Sequence, residues 1–259
     1  MQQEAREELN DSSENCENLT SSISSAVSPA TFSMLSSSNQ IFPGSQSTGF
    51  IKGRTSLYVQ GVLEWAFPES QSNIQGRSGS NACAFIALFM GNVWTNGCLH
   101  FPRDASLHES WRKSFIEAMV KGNKLHDDLF DEEAVDLEVE EAVSLADTEC
   151  GIHRVGQQID IFGRNPVQQL GNILIQAAQN NTPKSCSVIM THGRAMLLLV
   201  NSDSSAMIAD SHSHGNEGAI IAYSNPGNIH LLAQWLDAMM TDCWQQSLTI
   251  ASLTEVFYF

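Results

Sequence analysis

The sequence predicts an α+β fold, with a helical first half that carries a candidate nucleophile and a sheet-rich second half. Three observations predict it. Residues 81–94, NACAFIALFMGNVW, are apolar nearly all round a helical wheel, which marks a buried central helix beginning between Asn81 and Cys83. Residues 108–130 place Trp111, Phe115, Met119 and Val120 on one stripe, so an amphipathic helix follows. Residues 185–214 change period: SCSVIMTH, RAMLLLVNS and AMIADSHSH read as three strands joined by short turns at Gly193 and Asp203-Ser204, hence an antiparallel sheet.

In chain order, residues 1–52 read as a disordered acidic tail. The first 50 residues hold 13 serines and one basic residue, Arg6, and their apolar residues have no period. Such a segment cannot offset the entropy of its own ordering. Ser12, Ser13 and Thr20 are candidate phosphoacceptors within it. The folded domain is expected to span 53–259. TSLYVQGVLEW (55–65) alternates as a strand, and a polar, glycine-punctuated loop leads to the central helix. In the second helix Gly122 is the expected stop. Asp127 to Glu149 contains eleven acidic residues and no Lys or Arg, with VEEAVSLA (139–146) as a short helix. VQQLGNILIQAAQN (167–180) is a further amphipathic helix. After the three strands come a fourth, AIIAYS (219–224), a helix over NIHLLAQWLDAMM (228–240), and a strand or two in the last twelve residues.

Composition narrows the function. A net charge of −16 argues against nucleic acid or an anionic membrane as partner, since either needs a basic patch. No stretch has the roughly 18–20 uninterrupted apolar residues of a membrane span. The N-terminus has no basic region followed by an apolar core, so no secretory signal is expected. The cysteines at 16, 83, 98, 150, 186 and 243 form no CxxC pair and no zinc-ligand spacing, so no metal or other cofactor is expected. Reduced thiols in the cytosol or nucleus are the expectation.

Of the six, Cys83 stands apart because it opens a helix. A helix N-terminus and an imidazole partner both favour the thiolate, the form that attacks. The imidazole comes from ADSHSHG. On a strand, Asp210 and His212 share a face, so the carboxylate can fix the tautomer of the ring while the ring faces a thiol. His214 is in phase with His212 and is one rival for the base. His192 is the other, in the order cysteine, histidine, aspartate. An oxyanion needs donors near the thiol. The Cys83 amide is one; Gln75, eight residues upstream, is the first choice for the other, with Asn81 and Asn73 as alternatives.

Gln75 and Cys83 at the head of an apolar helix resemble a papain-like cysteine protease. The Asp-x-His pair of IADSHSHGNEGAIIAYSN resembles the herpesvirus large-tegument-protein deubiquitinases and their relatives, over roughly residues 55–240. The chain departs from the viral pattern at Ala209, often aromatic there, and at Ser211, where those members have proline. The resemblance implies a papain-like fold with Cys83 as nucleophile, His212 as base, Asp210 as its orienting carboxylate and Gln75 at the oxyanion. It implies a deubiquitinase, a monomer acting on ubiquitin or polyubiquitin chains. Glu138, Glu140 and Glu141 would then pair with basic residues of ubiquitin, and Gly193, with Gly76 and Gly79, would leave a narrow channel for a diglycine tail. Rival classes are a protease for a ubiquitin-like modifier, another papain-fold acyl-transfer enzyme, and a non-catalytic binding module.

Overall fold

The computed structural model describes residues 49–102, 104–131, 133–179 and 184–259. The serine-rich tail and its candidate phosphoacceptors lie outside the described residues. The compact unit begins at Phe50, so its first strand, β1 (Phe50–Lys52), falls within what the sequence assigns to the tail. Then come β2 (Arg54–Thr55), β3 (Val62–Ala66), α1 (Cys83–Thr95), β4 (Ser106–His108), α2 (Glu109–Phe130), α3 (Val139–Ala146) and β5 (Ile152–Phe162). The chain continues through α4 (Pro166–Gln179), β6 (Lys184–Thr191), β7 (Arg194–Asn201), β8 (Ala206–Asp210), β9 (Ile220–Ser224), α5 (Leu231–Trp244) and β10 (Ile250–Tyr258).

Eight strands form one antiparallel sheet in the order β2-β3-β9-β8-β7-β6-β10-β5, and β1 pairs with β4 separately. The fold class is α+β, as the sequence predicts, although β2 and β3 of the first half join the sheet of the second. Helices cover both faces, so β8 and β9 are buried throughout and β6 and β7 are buried except at their ends, and the four read as apolar runs rather than alternations. The faces are still distinct. Leu197 and Leu199 join the core around α1 and α2, whereas Met196, Leu198 and Val200 join the one under α4 and α5.

Cys83 stands at the first position of α1, and Phe85, Ile86, Leu88, Met90 and Trp94 below it are all buried. Gly122 is not the stop the sequence suggests: α2 runs on to Phe130. A Cβ at Gly122 would lie 2.5 Å from Ile86 Cγ1, so this glycine is where α2 crosses the nucleophile helix at close range.

Strand β5, which sequence patterning leaves unassigned, forms an edge of the sheet. Its polar residues and Gly156 blur the alternation. Its register against β10 shifts twice, and Gly156 and Gln157 together oppose Glu255. Among the described residues Cys83, Cys150, Cys186 and Cys243 are free thiols. Among the described residues no helix is long and apolar enough to cross a membrane.

Candidate active site

The nucleophile is placed by packing and by a polar clamp on the loop before it. Ser80 Oγ accepts from the Ala82 amide at 3.1 Å and donates to Asn123 Oδ1 of α2 at 2.5 Å. Arg77 makes a two-pronged ion pair with Asp127 of the same helix, at 2.5 and 2.9 Å, which holds the Asp127 carboxyl below its ordinary range. Cys83 is buried, and its Sγ accepts a hydrogen bond from the Ala195 amide of β7 at 3.4 Å.

The base is placed differently from the expectation. Strand β8 ends at Asp210, so His212 does not share a strand face with it. The chain turns instead, and Asp210 Oδ1 accepts from both the backbone amide of His212 at 3.0 Å and its ring Nδ1 at 2.6 Å. The pair the sequence singled out is real, but a local turn around one carboxylate makes it. Ser211 Oγ donates to Gln71 Oε1 at 2.6 Å.

Burial opposes charge on both partners. Even so, the His212 and His214 imidazoles hold the fully buried Asp210 carboxyl well below its usual range. Burial disfavours protonation of His212, but the Asp210 charge and hydrogen bond outweigh it, and contact with Cys83 adds to them, so the ring is raised to about 10. The net effect is a protonated imidazole beside the thiol. Trp244, at the end of α5, stands edge-on to His212 at 5.8 Å between ring centroids and donates its Nε1–H to Ser213 O at 3.2 Å; the Arg194 guanidinium lies 4.2 Å from the centre of its ring.

A cleft of about 250 Å³ opens onto these groups, lined by Ser80, Asn81, Cys83, Asp136, His192, Gly193, Arg194 and His212. It holds Gly193, which has φ +71° and opposes Asp136: a Cβ there would be 3.5 Å from Asp136 Oδ2. His192 lies on the rim, with its Nε2 3.1 Å from Ser247 O. Among the described residues no carboxylate pairs with it, so the rival order of cysteine, histidine and aspartate lacks its third member.

No family model and no curated protein matches the chain. Solved structures do. The Pseudomonas avirulence protein AvrPphB matches at 14% identity, over 80% of this chain and 96% of its own, with a TM-score of 0.46. The ubiquitin-specific protease encoded by murine cytomegalovirus tegument protein M48, solved in complex with a ubiquitin-based suicide substrate, matches at 11% identity. That match covers 74% of this chain and 84% of its own, with a TM-score of 0.47. Identities this low bear on fold alone, and at TM-scores below 0.5 the chemistry of this chain has to be read from its own residues.

Several expected site residues lie elsewhere. Gln75 sits in a tight turn at φ 56° and lines a neighbouring hollow of about 480 Å³ with Gly76, Gly79, Asp127 and Glu133, apart from Cys83. Gln71 is the buried glutamine: its Nε2 donates to Ser80 O at 3.0 Å and its amide to Ser211 O at 2.8 Å, tying the nucleophile loop to the aspartate's strand end. Sequence spacing gave no reason to prefer it over Gln75. Glu138, Glu140 and Glu141 are exposed at or before the start of α3 and do not line the cleft. The acidic residue that does is Asp136, fixed by a 2.5 Å hydrogen bond from Asn81 Nδ2. Among the described residues no group of His, Cys, Asp and Glu has metal-binding geometry.

Proposed function

We propose that the protein is a papain-like cysteine protease, and within that class a deubiquitinase that hydrolyses bonds to the C-terminal glycine of ubiquitin. One observation carries the protease reading: a thiol at a helix N-terminus shares a cleft with an imidazole whose Nδ1 is held on a fully buried carboxylate. The ubiquitin step rests on the Asp-x-His resemblance, and the pinch between Gly193 and Asp136 is suited to a tail without side chains.

In this reading His212 takes the proton of Cys83, and Asp210 orients the ring. The thiolate attacks the carbonyl carbon of the terminal glycine, and the Cys83 amide at the head of α1 faces the oxyanion. His212 returns the proton to the departing lysine amine, and water hydrolyses the thioester with the same imidazole as base. Asp136 takes over the role first given to the α3 glutamates, pairing with a basic residue of the tail. A cytosolic or nuclear location belongs to the same proposal.

The test is ubiquitin carrying a C-terminal electrophile. A covalent adduct on Cys83, absent in Cys83→Ala, is the expected result. Labelling only by a ubiquitin-like modifier selects the neighbouring specificity. No labelling of folded protein by either probe overturns the deubiquitinase reading.

A further inference from the structure

Asp210 is bracketed by two imidazoles. Oδ1 is on His212, while the Oδ2 side faces His214, whose Nε2 is 3.3 Å away with 3% of its side chain exposed. The contact is at ion-pair distance, and among the described residues neither Oδ2 nor either His214 nitrogen has a hydrogen-bond partner. The triad as written above uses His212 and leaves this second buried ring unexplained. A buried histidine with both nitrogens unpartnered is costly, so Asp210, the carboxylate within ion-pair distance of its ring, is the place to look for its role.

Its position is enforced from several sides. His214 and Glu217 exchange backbone hydrogen bonds of 3.0 and 2.9 Å across a tight turn. Glu217 accepts in turn from both terminal guanidinium nitrogens of Arg54, each at 2.7 Å. Trp244 packs on the His214 ring at 5.2 Å, tilted 35°, and so touches both histidines at once. The ionisable groups facing the ring are Asp210 at the end of β8, Cys243 of α5 and Glu217 in its own turn; Cys83 of α1 reaches the cluster only through His212.

Building on the triad reading, we propose that His214 is a positioning residue: it anchors Oδ2 of Asp210 so that Oδ1 stays on Nδ1 of His212. A carboxylate held at one oxygen can swing about its terminal bond, and the second contact removes that freedom. The electrostatics agree with the geometry. Burial opposes a charge on His214, but Asp210 prevails and raises the ring to about 9, so it stands by the carboxylate as a cation near neutral pH.

The test compares His214→Gln, which keeps an N–H donor for Oδ2, with His214→Leu, which keeps bulk but has none. The readout is the rate of Cys83 alkylation by iodoacetamide at neutral pH, followed by mass spectrometry. It reports the thiol–imidazole pair without any substrate, so failure of the ubiquitin assignment and failure of this proposal are distinguishable. The glutamine variant should stay within about twofold of the unsubstituted protein and the leucine variant should fall by up to about tenfold, the scale of one lost contact to a charged group. His212→Ala should fall further. Equal rates for the two His214 variants overturn the proposal, because a purely structural ring would not discriminate between them. A leucine variant as slow as His212→Ala also overturns it, making His214 the thiol's own partner. Since the leucine variant could unfold, a second measurement uses the unsubstituted protein: histidine-selective nitrogen NMR should show His212 and His214 titrating in linked steps. Independent single titrations would refute the shared carboxylate.

Discussion

The two halves of the candidate site are held by different forces. Cys83 is placed by the core: α1 buries nearly every side chain for its first two turns, α2 crosses it at Gly122, and the thiol's position follows from packing. His212 is placed by polar contacts beyond the end of a strand, through Asp210, the turn at 214–217 and Trp244. Packing is cooperative and spreads any error over many residues, whereas a hydrogen-bonded turn depends on a few groups. Substitutions on the cysteine side should therefore register as stability and on the histidine side as rate, with the reacting atoms themselves as the exceptions.

The largest effect should come from such an exception. Cys83→Ala should abolish turnover and probe labelling while the thermal midpoint stays near that of the unsubstituted protein; residual turnover by the folded variant would remove the nucleophile assignment. Next, His212→Ala should lower kcat/KM by roughly 10³–10⁶-fold, with Asp210→Ala costing less because it acts through the ring. If His212→Ala stays active and His192→Ala does not, the assignment of the base is wrong.

A prediction that sharpens the contrast sets two structural changes against each other. Gly122→Ala forces a methyl against Ile86 Cγ1 and should cost about 1–3 kcal/mol of stability by denaturant titration, with kcat/KM nearly unchanged in the fraction that remains folded. Gln71→Ala leaves the Ser80 carbonyl and the Ser211 hydroxyl without their partner, at about 1–3 kcal/mol, and should also lower kcat, because Gln71 joins the two halves. If Gly122→Ala harms rate more than Gln71→Ala does, the division of labour is refuted.

The same contrast has a pH signature. His212 is raised in the folded protein, so its ion pair with Asp210 contributes stability that is fully present below the ordinary histidine range and is lost as pH rises through about 10. Asp210 is depressed, so its contribution is present above the ordinary carboxylate range and is lost only in strong acid. The stability gap between the unsubstituted protein and His212→Ala should accordingly shrink as pH rises towards 10; a constant gap would mean the pair is not ionic. Smallest of all, His192→Ala should leave kcat/KM within about tenfold, since its Nε2 is on the Ser247 carbonyl and among the described residues no carboxylate supports it.

This division also explains which parts of the molecule could be read from the sequence. Packing leaves an apolar trace, periodic in α2 and continuous in α1 and in strands β6 to β9, so these elements were legible, and Cys83 with them. Polar placement leaves little trace. The Asp-x-His pair was visible, but not that β8 would stop at Asp210 and a turn would bring the ring back. Gln75 was chosen, with Asn81 and Asn73 as alternatives, and Gln71 was passed over, because spacing cannot tell a glutamine in an exposed turn from one buried behind the loop. Asp136 was hidden among eleven acidic residues, and only the path of the chain from α2 to α3 brings it to the cleft. Gly122 read as a stop because its local preference is the same whether it ends a helix or lets another one approach.

Strand β5 raises a separate matter of colloidal behaviour. An eleven-residue strand at the rim of a sheet, carrying exposed Ile159 and Phe162, has a row of backbone donors and acceptors on which further copies of the chain could stack. Its two register shifts break that row into short pieces and increase its twist, so no long straight template is presented. Gly156 is central to one of them. A Cβ there would come within 3.2 Å of the Glu255 Cβ, which discourages the larger side chains that would flatten and extend the ribbon. The irregular ladder and the mutual repulsion of a chain with a net charge of −16 both disfavour the stacking of further copies on this open rim.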